Sequence, residues 1–452
     1  MLTSTANEDI RTSFWPRVRE FAVPASMIET ATARRLAGDW AGACAAAGLD
    51  TDLHLRAVAR DHGRDLASRV RSDLRVLAPD LLRWHMPRIA PDGLLRPGVT
   101  LALARYDTAE GPVHLVARTA PAWADAGQRI SLALWSRSAP DAERHPHPRP
   151  NRRFRLDPHR HLWDASRASE LRGRSGAGGS PAQQRPWAET QLAVPRACAV
   201  DRWAAEARIL LAAEGRASGC LSVRWGRRRR LVLELAADDD LIRPVPTPSA
   251  AAVSALPVLP DAATRVPPDL RLLRAGAIEA DRLHPLVAAA LAPDRAATGP
   301  PRVPDRPGGP RLVECRGARH RIGLVDGVLA PLDHDPDEIR REELLAALTG
   351  TPLPCLQAID EAHRRPHCLD GVRERLVHGD TAGALAVVEG LLGPEALLRT
   401  GPLRDELEAA ALRRITYGLF RAGLTGPGPT WFRPRPTGRD SRTRRARPRH
   451  AH

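Results

Sequence analysis

Proline limits this chain more than any other residue. Of its 42 prolines, 14 fall between positions 243 and 310. Each one removes a backbone donor and fixes φ, so long unbroken helices and central strands are excluded where they cluster. That stretch reads as a linker, broken by a helical island from Asp269 to Leu291. Leu273, Ile278, Leu283 and Val287 form the island's apolar side, and Pro285 kinks it or ends it early. With 452 residues and domains of roughly 100–200, two or three units are expected.

The pattern on either side predicts an α+β protein. Residues 1–90 form a helical N-terminal region and 94–240 a strand-rich region with a basic, mobile insert at about 139–190. Residues 241–310 are the Pro-rich linker, 311–424 a β-hairpin plus helical domain, and 425–452 a disordered Arg-rich tail. Ser26-Met-Ile-Glu29 has the form of a capping box. Val99, Leu101 and Leu103 alternate, as do Val113, Leu115 and Ala117, with a turn at Asp107 to Pro112. Ile130 to Trp135 reads as a strand, Cys220 to Leu235 as a second hairpin, and Trp203 to Ala213 as a helix. Arg311 to Arg316 and His320 to Asp326 flank a turn at Gly317, and Val328 to Leu332 follows as a short strand. Asp335-Pro336-Asp337-Glu338 is a dense helix start, stopped at Gly350.

Gly38-Asp39-x-x-Gly42-Ala43 is echoed by Gly379-Asp380-x-x-Gly383-Ala384: a Gly stop, an Asp cap and a small-residue face. The element resembles the turn of tetratricopeptide-type helical hairpins. A solenoid needs roughly three or more repeats, so two separate helix–turn–helix corners are expected.

Hydrophobic residues make up 43% of the chain but aromatics only 4%, so its cores are aliphatic. Every one of the 68 basic residues is Arg. This Arg-, Ala-, Gly- and Pro-rich usage resembles that of uncharacterised proteins of high-GC actinobacteria, a compositional resemblance that implies no activity. It also makes a pI of about 11 a weak sign of nucleic acid. Met1 to Glu20 contains no apolar signal segment, and no run approaches the ~18 apolar residues of a membrane span. Cys44, Cys198, Cys220, Cys315, Cys355 and Cys368 lack paired spacing and read as reduced thiols. A cytoplasmic protein without a membrane partner is expected.

The net charge of +15 is concentrated in two places. Residues 433–452 carry eight Arg against Asp440, and residues 144–174 carry nine Arg against three acids; the remainder is close to neutral. If the tail binds nucleic acid, Arg433, Arg435, Arg442, Arg444, Arg445, Arg447 and Arg449 would neutralise phosphates and Trp431 would stack on a base.

Without Lys there is no Walker-type phosphate loop, and Gly-x-Ser-x-Gly is absent. No catalytic residue emerges. The expectation is that no cofactor or metal is bound; Cys315, His320, Asp333 and His334 are the candidate ligands if one is, because thiolate, imidazole and carboxylate suit zinc. Cys355, His363, His367 and Cys368 form a second such group, and His145, His147, His159 and His161 read as loop residues of the insert. The function expected is that of a non-catalytic interaction or regulatory protein, working on other proteins. The alternatives are nucleic-acid binding through the tail and a metal-dependent enzyme centred on His320, Asp333 and His334.

Overall fold

A computed structural model describes residues 14–124, 128–137, 145–178, 195, 197–225, 229–236, 242–246, 249–296, 311–325, 328–350, 352–364, 369–392 and 401–424. The protein is α+β, with helices along the chain and three small sheets among the described residues.

The first part is helical: α1 Trp15–Phe21, α2 Ala25–Leu36, α3 Trp40–Ala46, α4 Leu55–His62, α5 Arg64–Val76 and α6 Pro79–His85, with β1 Leu49–Thr51 between α3 and α4. The Ser26 capping box does not form. Pro24 precedes the first turn in extended geometry and α2 already starts at Ala25, so Ser26 lies inside the helix. β2 Thr100–Thr108, β3 Gly111–Thr119 and β4 Ile130–Trp135 form an antiparallel meander. β1 adds parallel to β4, giving the order β1-β4-β3-β2. The β2–β3 hairpin is tighter than its sequence suggests, because Asp107 pairs with Pro112 and Thr108 with Gly111.

The basic insert is built into this unit over its described part, residues 145–178, which includes the short α7 Leu171–Ser175. Asn151 and Leu156 donate their N–H groups to Thr100 and Ala102 of β2 at 2.8 and 2.7 Å. Leu156, Leu162, Trp163 and Leu171 join the main core. His145, His159 and His161 stand outside the α-helices and strands, as loop residues do, and are buried. Residues 179–194 lie outside the described residues.

A second core joins α8 Trp203–Ala213 to the sheet of β5 Gly219–Arg224, β6 Arg230–Leu235 and β7 Ile242–Val245. The proline-dense stretch that follows contains α9 Ala250–Ala255, α10 Asp261–Thr264, α11 Pro268–Arg274, α12 Pro285–Leu291 and α13 Pro293–Ala296. Over its described residues, 249–296, it is packed into the fold rather than a linker. Leu259 and Ala263 enter the second core, and Leu270, Leu272, Ile278, Leu283 and Val287 enter the first. The reason is positional. Pro268, Pro285 and Pro293 stand at helix starts, where the missing N–H would have had no partner and the fixed φ suits the helix. Asp269 on α11 takes Arg19 of α1 in a buried two-point ion pair at 2.7 and 3.0 Å, and accepts the Trp84 indole N–H at 2.9 Å.

The last part runs β8 Arg311–Cys315, β9 Ala318–Val325, β10 Val328–Pro331, α14 Pro336–Thr349, α15 Pro354–Arg364, α16 Leu369–His378, α17 Thr381–Leu392 and α18 Pro402–Arg421. Its sheet is an antiparallel meander, β10-β9-β8. The two echoed segments form matching corners, α2–α3 and α16–α17. Gly38 and Gly379 have φ of +79° and +87°. Asp39 and Asp380 cap Gly42 and Gly383 at 2.8 and 2.9 Å, and Arg34 and Arg375 bind the capping carboxylates. A Cβ at Gly42 or Gly383 would collide with the cap.

The C-terminal helices dock on the N-terminal part. Arg83 of α6 is buried and donates to three carbonyls: Ala22 at 2.9 Å, Gln128 at 2.6 Å and His378 at 2.8 Å. Burial, then the charge of Arg129, lowers its pKa to about 10, so it stays cationic at neutral pH. Tyr417 of α18 donates to Asp50 at 2.6 Å, and Arg421 pairs with Asp52 at 2.7 Å.

Histidines held inside the fold make acid its weak side. Burial holds His85, His159 and His161 well below their ordinary pKa, and burial with the charges of Arg88, Arg83 and Arg17 puts His378 at about 3. The unfolded chain takes these protons below about pH 6.5 while the native state does not, so stability falls as pH drops through that range. Each such histidine contributes a slope of up to about 1.4 kcal/mol per pH unit. Urea unfolding at pH 7.5 and 5.5 should show the loss, and His378→Gln should show a shallower one. An unchanged slope in the variant would rule His378 out as a source.

Candidate metal centre

The tight hairpin β8–β9 sets the site. Arg316 and Gly317 both have positive φ, +53° and +82°, as a two-residue turn of the primed type requires. Cys315 therefore pairs directly with Ala318 and Val313 with His320. Strand alternation then places Val313, Cys315, Ala318 and His320 on one face, while Leu312 on the other is exposed. After β10 the chain turns, and His334 immediately precedes the Asp335 cap of α14, whose carboxylate accepts the Asp337 N–H at 2.9 Å. Cys355 arrives on the first turn of α15, which packs across β8 and β10.

These three arrivals converge. The sulfurs of Cys315 and Cys355 and a ring nitrogen of His334 lie within 4.8 Å of one another. A tetrahedral zinc with bonds of about 2.3 Å to sulfur and 2.0–2.1 Å to nitrogen spaces its donors roughly 3.6–3.8 Å apart, so sub-ångström shifts would close the site. Both cysteines are buried and their thiols hydrogen-bond to each other; burial and that contact push Cys355 up to about 11. The His334 side chain is 3% exposed; its Nδ1 faces the Glu338 carboxylate at 3.6 Å, and its Nε2 has no hydrogen-bond partner. A carboxylate on one imidazole nitrogen orients the other toward a metal.

The sequence candidates fare differently. Cys315 and His334 are in the centre and His320 adjoins it, its ring centroid 4.1 Å from that of His334. Asp333 is committed elsewhere: Arg321 donates its backbone N–H and its guanidinium to the carboxylate, each at 2.7 Å, which holds Asp333 at about 2. Cys355 takes the place that sequence reasoning gave to Asp333. Its spacing groups it with His363, His367 and Cys368, whereas its partner stands forty residues earlier; the available signal is Pro352-Leu353-Pro354, which sets a new helix start. His363 lies on α15, and His367 and Cys368 lie outside the described residues. Glu338 was not anticipated as a site residue.

The nucleic-acid candidates Trp431, Arg433, Arg435, Arg442, Arg444, Arg445, Arg447 and Arg449 also lie outside the described residues. Of the nine arginines in segment 144–174, five have carboxylate partners: Arg153 pairs with Asp261, Arg155 with Asp157, Arg160 with Asp73, Arg167 with Glu170 and Arg174 with Glu206. A cleft of about 450 Å³ beside Arg69, Asp73, Tyr106 and Arg160 is lined by both signs of charge. No helix among the described residues is long and apolar enough to cross a membrane.

No protein-family model matches the chain, and no curated protein or solved structure matches it.

Proposed function

We propose that this is a non-catalytic cytoplasmic protein that binds other proteins, and that its hairpin–helix segment is a recognition unit held by a metal ion. The observation that carries the binding reading is an apolar face left open on each of two helices. On α18, Leu403 and Tyr417 face inward, while Leu412, Ile415 and Leu419 line the opposite side at i, i+3, i+7 spacing and are exposed. On α14, Ile339 packs on the thiol cluster, while Leu344, Leu345 and Leu348 point away, 65%, 50% and 85% exposed. Contiguous exposed leucines of this kind mark interaction surfaces in soluble proteins.

The metal reading follows from the size of what lies beneath α14. Among the described residues this core holds Cys315, Leu353 and Cys355, with Val313, Ile339 and Leu356 packed against them. Full burial of a large aliphatic side chain contributes about 1.5–3 kcal/mol, while each ordered residue costs about 1–2 kcal/mol of backbone entropy. So small a core needs a staple, and small domains commonly use a metal. The centre also fixes the direction of α14, since His334 adjoins its cap, and so fixes where its leucines point.

Tagged wild-type protein and a Leu345→Glu/Leu348→Glu variant, both recovered from the native host with and without nuclease treatment, test the binding reading. The wild type is expected to retain a defined set of proteins that the variant loses while keeping its thermal unfolding midpoint. Equal retention by both, or material that disappears with nuclease, would overturn it.

A further inference from the structure

We infer that His320 is the fourth ligand of the centre, which makes it a closed Cys2His2 zinc site formed by Cys315, His320, His334 and Cys355. This rests on the metal-held reading above and states what that metal is and what it can do.

Three observations converge on it. Hairpin register puts His320 on the inward face, diagonal to Cys315 and opposite Val313, which packs on the same thiol cluster. The His320 and His334 rings approach to 4.1 Å at an interplanar angle of 42°. Each keeps one buried nitrogen without a hydrogen-bond partner, Nδ1 of His320 and Nε2 of His334. A buried polar atom left unpaired costs about 1–3 kcal/mol, and these two belong to adjoining rings, one of which lies within 4.8 Å of both buried thiols, so a common partner would satisfy both. A cation is the one partner that suits two nitrogens and two sulfurs together.

The other oxygen donors nearby are already engaged. Asp333 is held by Arg321. Glu338 faces Nδ1 of His334 and pairs with Arg316 at 2.6 Å. That leaves two thiolates and two imidazoles, a soft tetrahedral set that selects zinc over magnesium, calcium or manganese. On binding, the metal takes the place of both thiol protons, which pass to solvent, with no change in oxidation state. With four protein ligands no coordination position remains for water or substrate, so the ion is structural and the centre is not a hydrolytic site.

The test uses the full chain. Purified protein is assayed for bound metal, then exchanged into cobalt(II), whose visible spectrum reports coordination geometry, and the zinc form is examined by X-ray absorption. The expected result is one zinc per chain, two sulfur and two nitrogen scatterers, and a tetrahedral cobalt spectrum. His320→Ala should lose the tetrahedral spectrum and bind more than about 100-fold more weakly, beyond the roughly 10–100-fold that loss of an outer-shell partner costs. Added imidazole should restore the spectrum, which a purely structural role for His320 would not allow. Asp333→Ala should leave it unchanged. Wild-type protein that takes up neither zinc nor cobalt would overturn the metal centre itself. A bound metal with two sulfurs, one nitrogen and a water oxygen, unaffected by His320→Ala, would overturn only the assignment of His320.

Discussion

Arg83→Ala is expected to lower the unfolding free energy by about 3 kcal/mol or more, and to loosen both ends of the chain together. The Arg83 guanidinium donates to the carbonyls of Ala22, Gln128 and His378, three points far apart in sequence and brought together around one cation. Removing it leaves buried acceptors without their donor, at about 1–3 kcal/mol for each that finds no water. Hydrogen exchange should speed up at the α16–α17 corner and around Ala22 in the same variant. Arg83→Lys should recover only part of the loss, because an ammonium group cannot span three diverging acceptors as a planar guanidinium does. Exchange that changes near Ala22 while the α16–α17 corner stays protected would show that the docking of the two ends does not depend on this residue.

Asp269→Ala is expected to cost about 3–5 kcal/mol, the penalty typical of a buried ion pair that loses one partner. Arg19 would then sit uncompensated in a dry site against the Trp84 ring, and the Trp84 indole N–H would lose its acceptor. Burial already disfavours the Arg19 charge, and Asp269 is what offsets it. The double variant Arg19→Met/Asp269→Leu should be more stable than Asp269→Ala, since an apolar pair of similar volume leaves no buried charge. Denaturant midpoints of the three proteins decide the matter; a double variant less stable than the single one would mean that the pair does more than neutralise itself.

Asp269 also shows where the sequence was hard to read. It lies in the stretch whose proline density suggests a linker, yet it anchors a fully buried ion pair of the first core. Proline content reports that long helices are excluded. It does not separate no helices from many short ones, each opened by its own proline, as at Pro268 and Pro285. The basic insert was obscured in a similar way. Its arginines look like excess charge until Asp73, Glu206 and Asp261, from distant segments, are placed beside them.

What could be read directly was local. The Arg316-Gly317 turn, the Asp335 cap, the Gly350 stop and the twin Gly-Asp corners each depend on residues within a few positions, and each stands where the pattern places it. The candidate centre divides along the same line. Cys315, His320 and His334 are near neighbours on a legible hairpin and its exit. Cys355 joins them only because α15 folds back across the sheet, a contact with no signature in spacing.

The reach of Arg83 has a consequence for how the molecule is made. Its third acceptor, His378, lies 295 residues downstream. At roughly 5–20 residues per second, a ribosome needs about 15–60 s to deliver it. For that interval the nascent chain carries a guanidinium one acceptor short, beside a surface that α16 and α18 will later cover. Synthesis of this protein therefore includes a waiting period, in which its earliest-made part is exposed to chaperones and proteases until its last helices emerge.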